Sequence, residues 1–596
     1  MMKSKWNVTD YINLYQANHL LSKDNKAALG MVIPVKVYIQ DPYASGTLEK
    51  QVLSEIQVAR EPELMNGPTS SRIAVVDYDA DLNVLAPAVI WNGKEGCFEI
   101  SKQSGNVRLA EKHKDLWQFH QVNVWAIVQS ILSMFETSFV LGRSAPWGFE
   151  GNRLIIVPHA GYMDNAFYDR HSKSIQLYYF GPENERIYTC LDHDIIAHET
   201  GHAILDGLRP YYLEDSSLQT TAFHEFIADI TAVFSALRNN NLRQIMAEQT
   251  QGNIAKESVV ANLAEGFSRY STGKEYIRSA LAKDTVDSVK DKFCPYEWSK
   301  VLTGAMWEIL SRIVAKRKQI LIKEGRGDSV YQLLWWAVMR FQRIIFQPLD
   351  FLPPADVQFS DYANAVLQAD QVIYPDDKYQ FREIMRDVFK QRGVYCEECC
   401  EDVESLNFYP YDIRRIMLSR TDAYHFINQN RRQLCIPANQ DISVSELYQT
   451  DKTLPNGSKH PREIILQYTW REDVLLKGKQ FGHLNGESAS LLCGGTIVFD
   501  DRGNVLSWMR KPGCGKQETS RKRLRSHCKQ EVEAGQKRKD DLLNYIKNRL
   551  DRGYFGFIDD DRFEIGKTIK PVCTSTRSDG TIRMEVRPNL RHWDDA

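Results

Sequence analysis

"DHDIIAHETGHAILDG", residues 192–207, sets His198 and His202 four apart, with Glu199 directly after the first histidine. Residues four apart lie on one face of an α-helix, one turn from each other. Both imidazoles can therefore aim a nitrogen at one ion, and zinc–nitrogen bonds of ~2.0–2.1 Å suit that spacing. Glu199 falls beside the pair. There a carboxylate reaches a water at the metal rather than the metal itself, which is the place of a general base. Ile195, Ile196, Ala203, Ile204 and Leu205 make the stretch a packed helix, and Gly207 and Pro210 mark its expected end.

A catalytic zinc site takes three protein ligands and keeps one position open. "TTAFHEFIADITAVF", residues 220–234, offers Glu225, 23 residues after His202. Phe223, Phe226, Ile227, Ile230, Phe234 and Leu237 share a face, so this stretch is a second helix that packs inside. Asp229 follows Glu225 by one turn. A carboxylate there can accept the N–H of a ligand histidine and fix its tautomer.

These residues together resemble the thermolysin-like zinc metallopeptidases, whose third ligand is a glutamate. "GYMDNAFYD" (161–169) is similar to that family's edge strand, which assigns substrate binding to Asn165 and Ala166. "TGAMWEIL" (303–310), "YANAVLQADQ" (362–371) and "FREIMRDVFKQRGV" (381–394) look like its later helices. The resemblance spans roughly residues 70–394 in pattern and is specific around 161–229. It implies an α+β, two-lobed peptidase with a β-rich N-lobe, a helical C-lobe and the metal helix between them. It also implies Zn2+ as cofactor, with His198, His202 and Glu225 as ligands, Glu199 as general base and Asp229 behind the ligands.

The sequence departs from the family in one catalytic position. The segment "CPYEWSKVLTGAMW" (294–307) lacks the histidine that donates to the tetrahedral intermediate. Tyr296 is the nearest substitute, since a phenol also donates to an oxyanion; Lys300 is another. The family's tyrosine between the two metal helices falls on Tyr211 or Tyr212. Of its calcium cluster only Asp194 is matched, and its secretion signal and propeptide are not seen. The expectation is a zinc endopeptidase acting on a protein or peptide substrate. The alternative is a catalytically silent scaffold stapled by zinc.

The remaining organisation is read from pattern. A chain of 596 residues exceeds a single core. The expected division is a β-rich start (1–135), a peptidase core (136–394) and a β-rich accessory region (395–596) through which a regulatory protein could act. Residues 31–40 and 72–85 read as strands, and Val124, Ile127, Val128, Ile131, Leu132 and Phe135 as one helix face. "EIILQYTW" (463–470), "GGTIVFDDRGNVLSWM" (494–509) and "TIRMEVRP" (581–588) read as strands, the second as a hairpin about residues 500–503.

Residues 516–539 hold nine Lys or Arg against three Glu without aromatics, the composition of a solvated linker rather than a nucleic-acid site. A net charge of −2 points to no polyanionic partner. Cys396, Cys399 and Cys400, with Cys435, offer only one paired motif and are expected to be thiols rather than a second zinc site. Eleven cysteines without framework spacing read as reduced. Lys3 and Lys5 precede no apolar segment, and "LLWWAVM" (333–339) is too short for a span. The expectation from these features is a cytoplasmic protein.

Overall fold

The computed structural model describes residues 31–42, 53–61, 63–79, 84–100, 117–182, 186–214, 216–258, 260–263, 278–395, 406–454, 457–514, 526–552, 557–559, 562–564, 572–576 and 582–586. The fold is mixed α+β. β1 (Val32–Tyr38) and β2 (Leu53–Ala59) form an antiparallel ribbon. Next come β3 (Ile73–Val75), helix α1 (Trp117–Glu136) and strands β4 (Leu154–Val157), β5 (Ala166–Asp169) and β6 (Ser174–Leu177). The sheet order is β3-β4-β6-β5. β4 is parallel to both β3 and β6, and β5 closes the edge antiparallel to β6.

The helix expected from its apolar face begins earlier, at Trp117, and is buried almost all round. Its polar residues are paired inside the protein. Gln121 donates to Asp77 (2.8 Å), Asn123 donates to the Cys190 carbonyl (2.9 Å), and Glu136 accepts from Arg72 (3.0 Å). A buried polar group is tolerable only when bonded in this way. α1 therefore ties the sheet to the element that follows it.

That element is α2 (His193–Leu208), followed by α3 (Leu218–Leu237), α4 (Asn240–Thr250), α5 (Pro295–Lys323), α6 (Val330–Phe346), α7 (Phe359–Ile373) and α8 (Phe381–Arg392). The cap of α2 is Asp192, whose carboxylate accepts the N–H groups of Asp194 (2.8 Å) and Ile195 (3.2 Å). α2 ends at Leu208, between Gly207 and Pro210 as the sequence expectation has it. A Cβ on Gly207 would stand 1.7 Å from the Pro146 carbonyl oxygen, so only glycine fits that position.

Beyond residue 405, α9 (Ile413–Leu418) and α10 (Arg420–Gln429) precede a four-stranded antiparallel sheet in sequential order: β7 (Ser443–Thr450), β8 (Glu463–Leu475), β9 (Ser488–Phe499) and β10 (Val505–Lys511). Strand side chains alternate between faces. Ile465, Val498 and Met509 join the core of the preceding helices and sheet. Ile464, Leu466, Tyr468, Ile497 and Trp508 form a second core with α9, α10 and α11 (Ser526–Asp551). The near-continuous apolar run of β8 thus reflects burial on both faces.

The basic segment differs from the solvated linker expected of it over residues 526–539, which belong to α11. Arg538 is buried. It donates to Asp356 (3.1 Å), the Leu492 carbonyl (2.8 Å) and the Pro512 carbonyl (2.5 Å). Residues 516–525 and the cluster Cys396, Cys399 and Cys400 lie outside the described residues. Cys435 is buried. Among the described residues no helix is long and apolar enough to cross a membrane.

Candidate metal centre

α2 and α3 touch at a glycine. A Cβ on Gly201 would stand 2.8 Å from the Ala228 Cα, so only glycine lets the two backbones come this close. The contact lies between the residues that matter, with His198 and His202 on one helix and Glu225 and Asp229 on the other. The sheet packs against the other side of α2, which sets β5 beside the same helix.

His198 Nε2 lies 3.1 Å from His202 Nε2. Glu225 Oε2 is 3.4 Å from His198 Nε2, and Glu225 Oε1 is 3.6 Å from His202 Nε2. Bonds of ~2.0–2.1 Å at tetrahedral angles place donor atoms roughly 3.3 Å apart. The three distances bracket that length, the two from Glu225 running from different carboxylate oxygens, so the two imidazoles and the Glu225 carboxylate can converge on one ion. Asp229 Oδ1 stands 3.0 Å from His198 Nδ1. Accepting that N–H fixes the tautomer that leaves Nε2 its lone pair.

Glu199 is buried beside the donors, and its Oε2 accepts the backbone N–H of Tyr168 on β5 at 2.8 Å. The side chains of His198 and His202 keep 10% and 11% of their surface exposed.

Sequence reading missed two partners. His224 Nδ1 lies 3.3 Å from His202 Nδ1. Its position directly before Glu225 was the available signal. The N–H of Tyr168 is a backbone group, which residue type cannot reveal. Tyr168 also donates its phenol to Asp206 (2.7 Å) near the end of α2, fastening β5 to the helix a second time.

The tyrosines fall in three different settings. Tyr212, a candidate oxyanion donor, is 2% exposed, and its phenol donates to the Pro353 carbonyl at 2.7 Å. Burial, opposed by Arg209, pushes that phenol well above the ordinary tyrosine range. Tyr211 is half-buried, with the Arg471 guanidinium 6.0 Å from its ring centre, so it faces the β7–β10 sheet. Tyr296 is half-buried in the first turn of α5, the helix packed along α3. Lys300 is ion-paired with Glu297. Asn165 stands just before the edge strand, its Oδ1 accepting the Ala166 N–H at 2.8 Å. Ala166 opens β5 opposite Leu177.

The chain matches no protein-family model, and no curated protein matches it.

Proposed function

We propose that the chain is a zinc-dependent endopeptidase with a thermolysin-like, two-lobed arrangement of sheet and helices about its metal helix. The observation that carries this reading is the position of Glu199. A metal site that only staples a fold needs no carboxylate beside its donors, and here that carboxylate is bonded to the edge strand of the sheet.

His198, His202 and Glu225 would hold the ion, and Asp229 would orient His198. When bound, zinc supplies the Lewis acidity that activates water and polarises a carbonyl. Glu199 takes a proton from water as the oxygen adds to the scissile carbonyl carbon. It then gives that proton to the departing amine as the C–N bond breaks. The products are one carboxylate and one amine. An extended peptide lying along β5 would meet backbone groups of an edge strand, the usual way such a strand binds a chain, with Asn165 and Ala166 as the contacts. Tyr296 remains the candidate donor to the oxyanion.

The scaffold alternative has specific support: residues 294–307 contain no histidine, and the Tyr212 phenol is spent on Pro353. Incubation of the zinc-loaded chain with a denatured protein mixture, read by mass spectrometry, separates the two. Peptide cuts that disappear on chelation support the peptidase. Stoichiometric zinc with no cuts supports the scaffold.

A further inference from the structure

A second group of metal-type donors lies deeper in the fold. His120 of α1, His159 just after β4 and Cys190 just before α2 bring one side-chain donor each to a single point. His120 Nδ1 is 2.9 Å from His159 Nε2. Cys190 Sγ is 3.6 Å from the first nitrogen and 3.8 Å from the second. With zinc bonds of ~2.0 Å to nitrogen and ~2.3 Å to sulfur, a tetrahedral N–S edge is roughly 3.6 Å. The two sulfur edges match it closely, and the shorter nitrogen edge is a hydrogen-bond distance in the absence of an ion.

His159 Nδ1 lies 2.7 Å from Asp77 Oδ1. Donation of that N–H to the carboxylate leaves Nε2 as a lone pair facing the other two donors. Asp77 is fixed in turn, accepting from Gln121 (2.8 Å) and from the Tyr78 N–H (2.9 Å). Trp117 stacks on the His159 ring at 4.0 Å.

A hydrogen-bond chain from His120 through His159 to Asp77 would account for the nitrogens alone. The sulfur adds a third donor almost equally far from both nitrogens, the arrangement that three ligands take about one ion, whereas a thiol makes only weak hydrogen bonds there.

We propose that His120, His159 and Cys190 supply three of the four donors of a buried transition-metal site, zinc(II) by charge, that staples the fold. A thiolate and the Asp77 carboxylate together cancel a 2+ charge in a dry interior, where net charge is costly. Sulfur and imidazole donors select zinc over magnesium or calcium. The three residues are 0–1% exposed, against the tenth retained by His198 and His202. Substrate cannot reach this ion, and its role is mechanical. It joins α1, the sheet and the turn that launches α2, eight residues before His198.

Cobalt reconstitution of the full-length chain tests the proposal. The His198, His202 and Glu225 set has no sulfur, so a thiolate-to-cobalt charge-transfer band can come only from a cysteine site. The band is expected in the wild type and in the His198→Ala/His202→Ala variant. It is expected to vanish in Cys190→Ala, with loss of one metal per chain. No band in the wild type, or a band that survives Cys190→Ala, overturns the proposal. Should Cys190→Ala fail to fold, X-ray absorption of the zinc-loaded wild type decides. A shell of a single sulfur at ~2.3 Å beside imidazole nitrogens supports the site, and a shell of several sulfurs, or nitrogen and oxygen scattering alone, overturns it. Neither result depends on whether the chain cleaves peptides.

Discussion

Tyr168 donates its backbone N–H to Glu199 Oε2 at 2.8 Å. One peptide group of the edge strand therefore orients the carboxylate beside the metal donors. A hydrogen bond to an ionised acceptor is about twice as strong as a neutral one. It also links the strand proposed to hold substrate to the base proposed to act on it, so displacement of β5 alters both together.

Removing Asp229 should weaken zinc binding without touching a ligand. Asp229→Ala leaves the His198 Nδ1–H without this acceptor, and loss of such an outer partner typically lowers metal affinity 10–100-fold. Chelator competition measures this directly. Affinity equal to wild type would mean that the 3.0 Å contact does not orient the histidine.

Gly201→Ala should separate the two metal helices. Its new methyl group meets the Ala228 backbone at 2.8 Å, and overpacking of this kind costs ~1–3 kcal/mol. Zinc affinity and the urea midpoint should fall together, because Glu225 and the histidines sit on opposite sides of that contact. A lower midpoint with unchanged affinity would argue that the helices part elsewhere.

Tyr212→Phe and Tyr296→Phe should behave differently. The first strands the Pro353 carbonyl and should cost ~1–3 kcal/mol of stability, with kcat of the folded enzyme unchanged. The second should lower kcat while KM stays near wild type, by up to ~10²-fold for loss of an oxyanion donor. Unchanged kcat in Tyr296→Phe would remove that tyrosine from the mechanism.

The join between the β7–β10 sheet and the rest should fail in acid. Asp350 is 0% exposed and accepts from Arg143 (2.8 Å) and from the Tyr448 phenol (3.1 Å), with Lys452 at 3.3 Å. Burial alone would raise its pKa, but Arg143, Lys452 and Arg209 hold it down to about 2. A depressed folded-state pKa contributes stability in full above the unfolded value of ~3.9, and that stability is lost as pH falls through about 2. Asp350→Asn takes the counter-charge from the buried Arg143 guanidinium, while Lys452 keeps Glu463 at 2.6 Å, and should cost ~3–5 kcal/mol at neutral pH. It should also flatten the acid limb of the stability curve between about pH 4 and 2. An unchanged limb would place the acid sensitivity in other carboxylates.

What the sequence revealed follows from its spacings. The four-residue interval between His198 and His202, and the matching interval from Glu225 to Asp229, are periodic, so one residue predicts the neighbour on its face. His120, His159 and Cys190 have no such interval. They meet only because α1, β4 and the turn before α2 are folded together, and pattern within one element cannot reveal that.

β8, β9 and β10 were legible as strands and β7 was not, and a wall shared by two cores was not legible at all, since a continuous apolar run shows that both faces are apolar without naming what covers each. The same limit explains Tyr212. Its place between the metal helices fits a catalytic tyrosine, whereas its bond to Pro353 depends on a loop 141 residues away.

The most direct test of the central claim compares the wild type with Glu199→Gln, measuring bound zinc and cleavage of a denatured protein mixture on the same samples. Equal zinc in both is expected, with cuts by the wild type and a rate lower by ~10²–10⁴-fold in the variant, the usual contribution of a general base. Equal cleavage by both proteins, or zinc bound with no cleavage by either, would contradict that claim.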